Sequence, residues 1–289
     1  MAVDLQKLKR KMRGVISTRQ VTRALQMVSA MKMRKAQEQS QQSMIYRKAL
    51  QELVETFETS PAEAVPDLAV VPSGNKVLAV TFGSDRGLCG PYNANLLSAV
   101  AALGREVGIE NLEVRSIGIK VGGTLRRRGY KVLGNERRPH HSDRELFMQN
   151  LSRELLEAWQ TGEYKEIVFL YSSLRGMTVI RPQPQVWLPI AGPSAESLEA
   201  KGAPADFIDE PSPLQVLAAA VRRFLSNEIL SAILQSEASE HVARMMAMDN
   251  ATRNAEELYD SLKLTYNKAR QAKITQEICE IVAGANAIG

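Results

Sequence analysis

Proline placement constrains this chain more than any other feature. All twelve prolines of the 289 residues lie between Pro61 and Pro213, and a proline inside a helix costs about 3 kcal/mol or more through a lost hydrogen bond and a ring clash. Both ends are therefore open to helices of unusual length. Residues 1–57 contain one glycine, Gly14, and otherwise run in Lys, Arg, Gln, Met, Ala and Leu, the good helix formers. Residues 214–283 contain neither Pro nor Gly. Pro213 suits the first position of a helix, Ser212 its N-cap, and Gly284 its end.

Apolar residues recur three or four apart in both segments. At the start they are Leu5, Leu8, Met12, Val15 and Ile16, then Val21, Leu25, Val28 and Met31, and later Ala49, Leu50, Leu53 and Phe57. At the end they are Leu217, Val221, Phe224 and Leu225, then Ala251, Ala255, Leu258, Leu262, Tyr266 and Ala269. Each stripe covers one face of a helix. About 70 helical residues would span roughly 105 Å, far more than a compact domain of about 30 Å, so such helices must pair or enter a partner.

Charge supports pairing. Residues 1–56 carry 12 Lys/Arg against 4 Asp/Glu, 12 − 4 = +8; residues 209–289 carry 8 against 11, 8 − 11 = −3. Opposite charge and two apolar faces predict an antiparallel coiled coil. Arg19 and Ser29 interrupt the heptad and imply loose packing.

The middle has another texture. Lys76 to Phe82, Glu113 to Gly118, Tyr130 to Leu133, Ile167 to Tyr171 and Thr178 to Leu188 read as strands, alternating with helical Asn93 to Val107, Val121 to Arg128 and Asp143 to Gln160. Alternation of this kind predicts a doubly wound, mostly parallel α/β domain. The expected organisation is an N-terminal shaft helix over 1–57, a central domain over 75–190 and a C-terminal shaft helix over 209–289, with 58–74 and 190–213 as connectors.

The chemistry-bearing motifs are few. The loop from Gly83 to Gly90 follows the first strand and opens a helix, as a phosphate-binding turn does, but it lacks both GxGxxG and GxxxxGK[ST]. It reads as a tight turn or a subunit contact. His140 and His141 have no acidic or cysteine partner at ligand spacing and read as a surface pair. Cys89 and Cys279, the two cysteines, form neither a disulfide framework nor a zinc motif, which fits a reducing compartment. No cofactor and no metal is implied. The apolar run Leu96 to Leu103 is far short of the ~20 residues of a membrane span, and no h-region of a secretory signal is present.

Three stretches together carry a resemblance to a known family. Thr18-Arg19-Gln20-Val21-Thr22-Arg23-Ala24-Leu25-Gln26-Met27-Val28-Ser29, with Lys32-Met33-Arg34-Lys35-Ala36, is similar to the N-terminal helix of the γ subunits of F-type ATP synthases. Ser84-Asp85-Arg86-Gly87-Leu88-Cys89-Gly90, with Asn93, resembles the loop after the first strand in that family. Ala238-Ser239-Glu240-His241-Val242-Ala243-Arg244-Met245, and Tyr266-Asn267-Lys268-Ala269-Arg270-Gln271-Ala272-Lys273-Ile274-Thr275-Gln276-Glu277-Ile278, resemble its C-terminal helix.

The resemblance implies a non-catalytic central shaft that turns inside a ring of three α and three β subunits. It implies further contacts with the ε subunit and the membrane c-ring, and a peripheral location on the cytoplasmic face of a bacterial inner membrane. By motif position, Glu240, Arg244, Gln271, Thr275 and Glu277 would face the catalytic ring. Lys32, Arg34 and Lys35 would meet an acidic segment of β, Asp85 and Arg86 would make subunit contacts, and Phe207 and Glu210 would lie toward the membrane ring and ε. Leu25 stands where the family commonly has methionine, a volume-conserving exchange expected to preserve rotation. The cysteine-bearing insertion of chloroplast relatives is absent, which predicts no thiol switch. Met1 aligns with the family's mature start, which argues for a bacterial source.

Two other readings compete. A nucleotide-using enzyme with a coiled-coil arm predicts saturable nucleotide binding. A nucleic-acid-binding basic helix built on Lys7, Lys9, Arg10, Lys11 and Arg13 predicts binding that weakens steeply with salt. Neither accounts for both ends of the chain.

Overall fold

The computed structural model describes residues 4–56, 64–175, 178–179, 181–190, 210 and 212–288. Two long helices, α1 (Leu5–Thr56) and α6 (Pro213–Ile288), flank the central elements. Asp4 caps α1, its Oδ1 accepting from the amides of Gln6 at 2.9 Å and Lys7 at 3.2 Å. Ser212 precedes Pro213 as expected, with its carbonyl accepting from Val216 at 3.0 Å. Helix α6 does not stop at Gly284 but continues to Ile288; a glycine only weakens a helix by about 1 kcal/mol. No helix among the described residues is long and apolar enough to cross a membrane.

By internal contacts the chain divides into two units, one combining residues up to Ala30 with those from Arg244 onward, the other Met31–Ala243. In the first unit α1 and α6 are antiparallel. Arg19 faces Glu256 at 3.8 Å, Thr22 faces Thr252 at 2.8 Å and Gln26 faces Asp249 at 3.0 Å. One number rises by seven as the other falls by seven, the signature of an antiparallel register.

The seam of this pair differs from the apolar stripe. Along α1 it runs Leu5, Leu8, Met12, Val15, Arg19, Thr22, Gln26, Ser29, alternately three and four residues apart. Along α6 it runs Met248, Thr252, Ala255, Tyr259, Leu262, Tyr266, Ala269. Arg19 and Ser29 do not interrupt the heptad; they are members of it. Val21, Val28, Met31 and Leu258, expected inside, are exposed. The reason is local: Ser29 donates to the Leu25 carbonyl, and the Thr22 and Thr252 hydroxyls find their acceptors in each other and in a helix carbonyl, so burial leaves no polar group unpaired.

The second unit is built on a five-stranded sheet of β1 (Lys76–Phe82), β2 (Leu112–Ile117), β3 (Lys131–Glu136), β4 (Tyr164–Tyr171) and β7 (Gln183–Leu188), in the order β3-β2-β1-β4-β7. The first four strands are parallel and β7 is antiparallel to β4. The sheet is therefore mostly parallel, with helices on both faces. Leu174–Arg175 (β5) and Thr178–Val179 (β6) form a separate small ribbon. Thr178 to Leu188 is thus not one strand; Pro182, which has no amide to give to a ladder, lies between its two pieces.

Strand β1 shows how both faces are buried. Val77 and Ala79 enter one core with α3 (Tyr92–Val107) and α4 (Ile119–Arg127), through Tyr92, Leu96, Val100, Val121 and Leu125. Leu78, Val80 and Phe82 enter the other with α5 (Arg144–Gln160) and the first third of α6, through Leu155, Trp159, Leu217, Val221 and Ile229. Truncating one such side chain to alanine costs about 2–5 kcal/mol. Within the segment expected as a bare connector, a single turn, α2 (Pro66–Ala69), buries Leu68 in this second core. Trp159 fastens it by donating from Nε1 to the Asp67 carbonyl at 2.9 Å.

Candidate functional site

In a doubly wound sheet, ligands bind in the crevice beyond the carboxyl ends of the strands, where the strand order reverses. Here that place lies beyond β1 and β4, and side chains of α6 occupy it. The Ser236 hydroxyl donates to the Phe82 carbonyl at the end of β1, at 2.8 Å, and lies 2.6 Å from the Tyr92 hydroxyl. The Ser239 hydroxyl donates to the Ser172 carbonyl just after β4, at 2.8 Å. Arg138 donates from Nη2 to the Gly83 carbonyl at 2.6 Å and lies 2.9 Å from Glu240 Oε2. The crevice is filled from within.

Burial makes this cluster strong. The side chains of Arg138 and Glu240 are only 9% and 7% exposed. Burial alone would lower the Arg138 pKa, but the carboxylate of Glu240, with further contributions from Tyr92, Glu237 and Asp85, outweighs it and the net shift is upward. Burial is also the main reason the Tyr92 hydroxyl titrates well above its ordinary value. Both groups keep their protons at physiological pH.

The loop after β1 is braced rather than open. The Ser84 hydroxyl donates to the Arg86 carbonyl at 2.7 Å, and the Asn93 amide donates to Ser84 Oγ at 2.7 Å. Asp85 accepts from the Ile119 amide through Oδ1 and from the Arg138 amide through Oδ2, each at 3.2 Å. Gly83 and Gly118 cross closely enough that a Cβ on Gly118, already at φ +97°, would meet the Gly83 carbonyl oxygen at 2.3 Å. Arg86, Gly87 and Leu88 form the exposed tip. Cys89 is buried, Cys279 exposed.

The remaining expected contact residues fall in three environments. Lys32, Arg34 and Lys35 are exposed on α1; Gln271, Thr275 and Glu277 are exposed on α6, where Lys273 lies 3.6 Å from Glu277. Arg244 is half-buried and Glu210 exposed, while Phe207 lies outside the described residues. Glu240 is the correction: it does not face outward but is turned into the protein, because Arg138 holds its carboxylate. Arg138, Ser236 and Tyr92 had no role in the sequence reading; the only trace is a small polar pair, Ser236 and Ser239, on a largely apolar helix face. His140 and His141 are exposed, and among the described residues no three His, Cys, Asp or Glu side chains gather as a metal site.

The sequence profile described as ATP synthase matches residues 4–288. The ATP synthase gamma chain of Pelotomaculum thermopropionicum is 35% identical over 291 residues, covering 99% of both chains. The chain belongs to the ATP synthase gamma-chain family. A second gamma chain, from Moorella thermoacetica, is 38% identical over 283 residues, covering 97% of this chain and 98% of its own.

Two solved structures share this fold. One, from the Euglena gracilis mitochondrial ATP synthase, has TM-score 0.64 at 19% identity and covers 98% of this chain and 94% of its own. The other, from the Tetrahymena thermophila mitochondrial ATP synthase central stalk and c-ring, has TM-score 0.59 at 19% identity, covering 80% and 99%. Family membership brings the function implied by the resemblance, that of a central stalk subunit which is not itself catalytic.

Proposed function

We propose that this gamma chain is the rotating shaft that couples turning of a membrane c-ring, driven by protons, to ATP synthesis and hydrolysis in a ring of three α and three β subunits. The observation that carries the reading is the bare end of α6. The antiparallel register places Leu5, the first residue of α1, opposite residue 270, since Arg19 lies fourteen residues after Leu5 and Glu256 fourteen before 270. Beyond that point α1 has nothing to offer, and residues 271–283 are exposed all round. Yet the stretch carries Ile274, Ile278, Ile281 and Val282, with Ile281 72% exposed. An apolar stripe with no partner among the described residues calls for an external sleeve.

Gln271, Thr275 and Glu277 lie on this same bare helix and would supply polar contacts to the sleeve. Lys32, Arg34 and Lys35 offer exposed positive charge to an acidic segment of β, where opposite charge guides a sliding contact. Arg86 and Asp85 at the loop after β1, and Arg244 on α6, complete the contacts with the ring. Glu210 and Phe207 would lie toward the c-ring and the ε subunit, on a peripheral complex at the cytoplasmic face of the bacterial inner membrane. In this division residues 1–57 and 209–289 are the shaft and 75–190 the central domain. An asymmetric shaft presents a different face to each β subunit, and differential contact free energy biases each among its nucleotide-binding states.

The test is assembly. Mixing the purified chain with α and β subunits of the same organism should give one copy per six ring subunits by light scattering on a sizing column, with ATPase activity that depends on the chain. Failure to associate under conditions where α and β fold would overturn the reading.

A further inference from the structure

Apolar packing holds a helix onto a sheet but resists rotation about the helix axis weakly, because the hydrophobic effect is non-directional. Hydrogen bonds and ion pairs placed off the axis resist it strongly, since they weaken steeply with misalignment. In the second unit, the first part of α6 packs through Leu217, Val221, Leu225, Ile229 and Ile233, all apolar. Single directed bonds also reach this stretch, from Trp187 Nε1 to the Leu225 carbonyl at 3.1 Å, from Ser226 to Ser152 at 3.4 Å, and between Arg144 and Glu237. At Ser236, Ser239 and Glu240 three gather, and their spacing of three and four from Ser236 places them on one helix face. Their anchors are the Phe82 carbonyl at the end of β1, the Ser172 carbonyl after β4, and Arg138, itself tied to the Gly83 carbonyl and, through its amide, to Asp85. β1 and β4 are neighbours in the sheet. Three anchors on separate segments fix the helix in azimuth as well as in position.

We propose that Arg138 and Glu240, with Ser236 and Ser239, are a torsional bolt: positioning residues that carry torque between the sheet and helix α6. The inference rests on the shaft reading above and assigns a mechanical duty to groups that touch no nucleotide. It also accounts for a costly choice of chemistry. A buried ion pair seldom adds stability over a well-packed apolar pair of the same volume, but it supplies directional stiffness that an apolar pair lacks.

The experiment uses the assembled complex of α, β and this chain, with the ring fixed to a surface and a rod attached to the central domain. Wild type is compared with Glu240→Gln, with the milder double variant Ser236→Ala/Ser239→Ala, and with Leu96→Ala as a core control of comparable melting temperature. The angular variance of the rod in a nucleotide-locked state should rise by about twofold or more in both bolt variants, as expected when some of a few parallel restraints are removed. Variance should stay at the wild-type value in Leu96→Ala, and Glu240→Asp should recover part of the stiffness. Unchanged variance in the bolt variants, or equal broadening in Leu96→Ala, would overturn the proposal. If Glu240→Gln does not assemble, the serine variant decides alone. Failure of the wild-type chain to assemble counts against the shaft reading instead, so the two failures are distinguishable.

Discussion

Thr22 and Thr252 meet across the antiparallel helix pair with their hydroxyl oxygens 2.8 Å apart, and each also reaches a carbonyl of its own helix, that of Arg19 at 3.0 Å and of Met248 at 2.8 Å. Two protons serve three acceptor contacts, so one threonine donates across the seam and the other to its backbone. Removing one hydroxyl leaves the other in a buried site with a contact missing, at a cost of about 1–3 kcal/mol, whereas removing both can be nearly neutral. Thr22→Val and Thr252→Val should each lower stability in urea melts followed by circular dichroism, and the double variant should be no worse than either single one. Additive losses would mean that the hydroxyls act independently.

Glu113 provides a pH-dependent test in the sheet. Burial acts to raise its pKa, but Lys131 at 2.7 Å, Tyr164 at 2.7 Å and Lys76 at 3.2 Å stabilise the carboxylate, and the net shift is downward. A lowered folded pKa contributes stability that is complete above the unfolded glutamate value of ~4.3 and is lost as pH falls through the folded value. Glu113→Gln should therefore destabilise by about 1.5–3 kcal/mol at neutral pH, the range for hydrogen bonds to charged groups. The gap between variant and wild type, read from urea midpoints, should close below pH ~4. A gap independent of pH would show that shape rather than charge matters at this position.

The sequence made the two long helices and the mostly parallel sheet legible because proline and glycine punctuate the chain so sharply, and β1 was placed at Lys76–Phe82 to the residue. The seam of the helix pair was misread for a definite reason. Counting apolar residues selected Val21, Val28 and Leu258, while the true heptad passes through Thr22, Ser29 and Thr252, whose hydroxyls are satisfied by helix carbonyls or by one another across the seam. Local polarity outweighed spacing in the reading; spacing prevailed in the fold. The Arg138–Glu240 pair was illegible because its partners are about a hundred residues apart, and only the topology brings the end of β1, the segment after β3 and α6 together.

Cysteine reactivity should separate the two thiols cleanly. Cys89 is buried beside Ser84, whose Oγ is 3.7 Å away, and its sulfur receives the Asn93 amide at 3.3 Å, whereas Cys279 is exposed on α6. Thiol chemistry follows access as well as thiolate character. The native chain should take up one equivalent of maleimide rapidly and a second only in denaturant, and Cys279→Ser should abolish the rapid phase. Rapid labelling of both sites would mean that the loop after β1 opens in solution.

Leu88 stands in the left-handed region at φ +61° and is 65% exposed, directly before Cys89 in a loop otherwise held by hydrogen bonds. A side chain with a Cβ pays roughly 1–2 kcal/mol in that conformation, and here no buried area offsets it. Asparagine tolerates the region far better than leucine, and a β-branched residue far worse. Leu88→Asn should therefore stabilise the isolated chain by about 0.5–1 kcal/mol in urea melts, and Leu88→Val should destabilise it, since relief of strain at one residue is limited to a part of its cost. The same substitution removes the only large apolar group at the loop tip, so a leucine retained for contact with a partner predicts weaker assembly of Leu88→Asn with the α and β subunits even as the free chain gains stability. Stability and assembly that move in the same direction would show that the strained leucine serves neither.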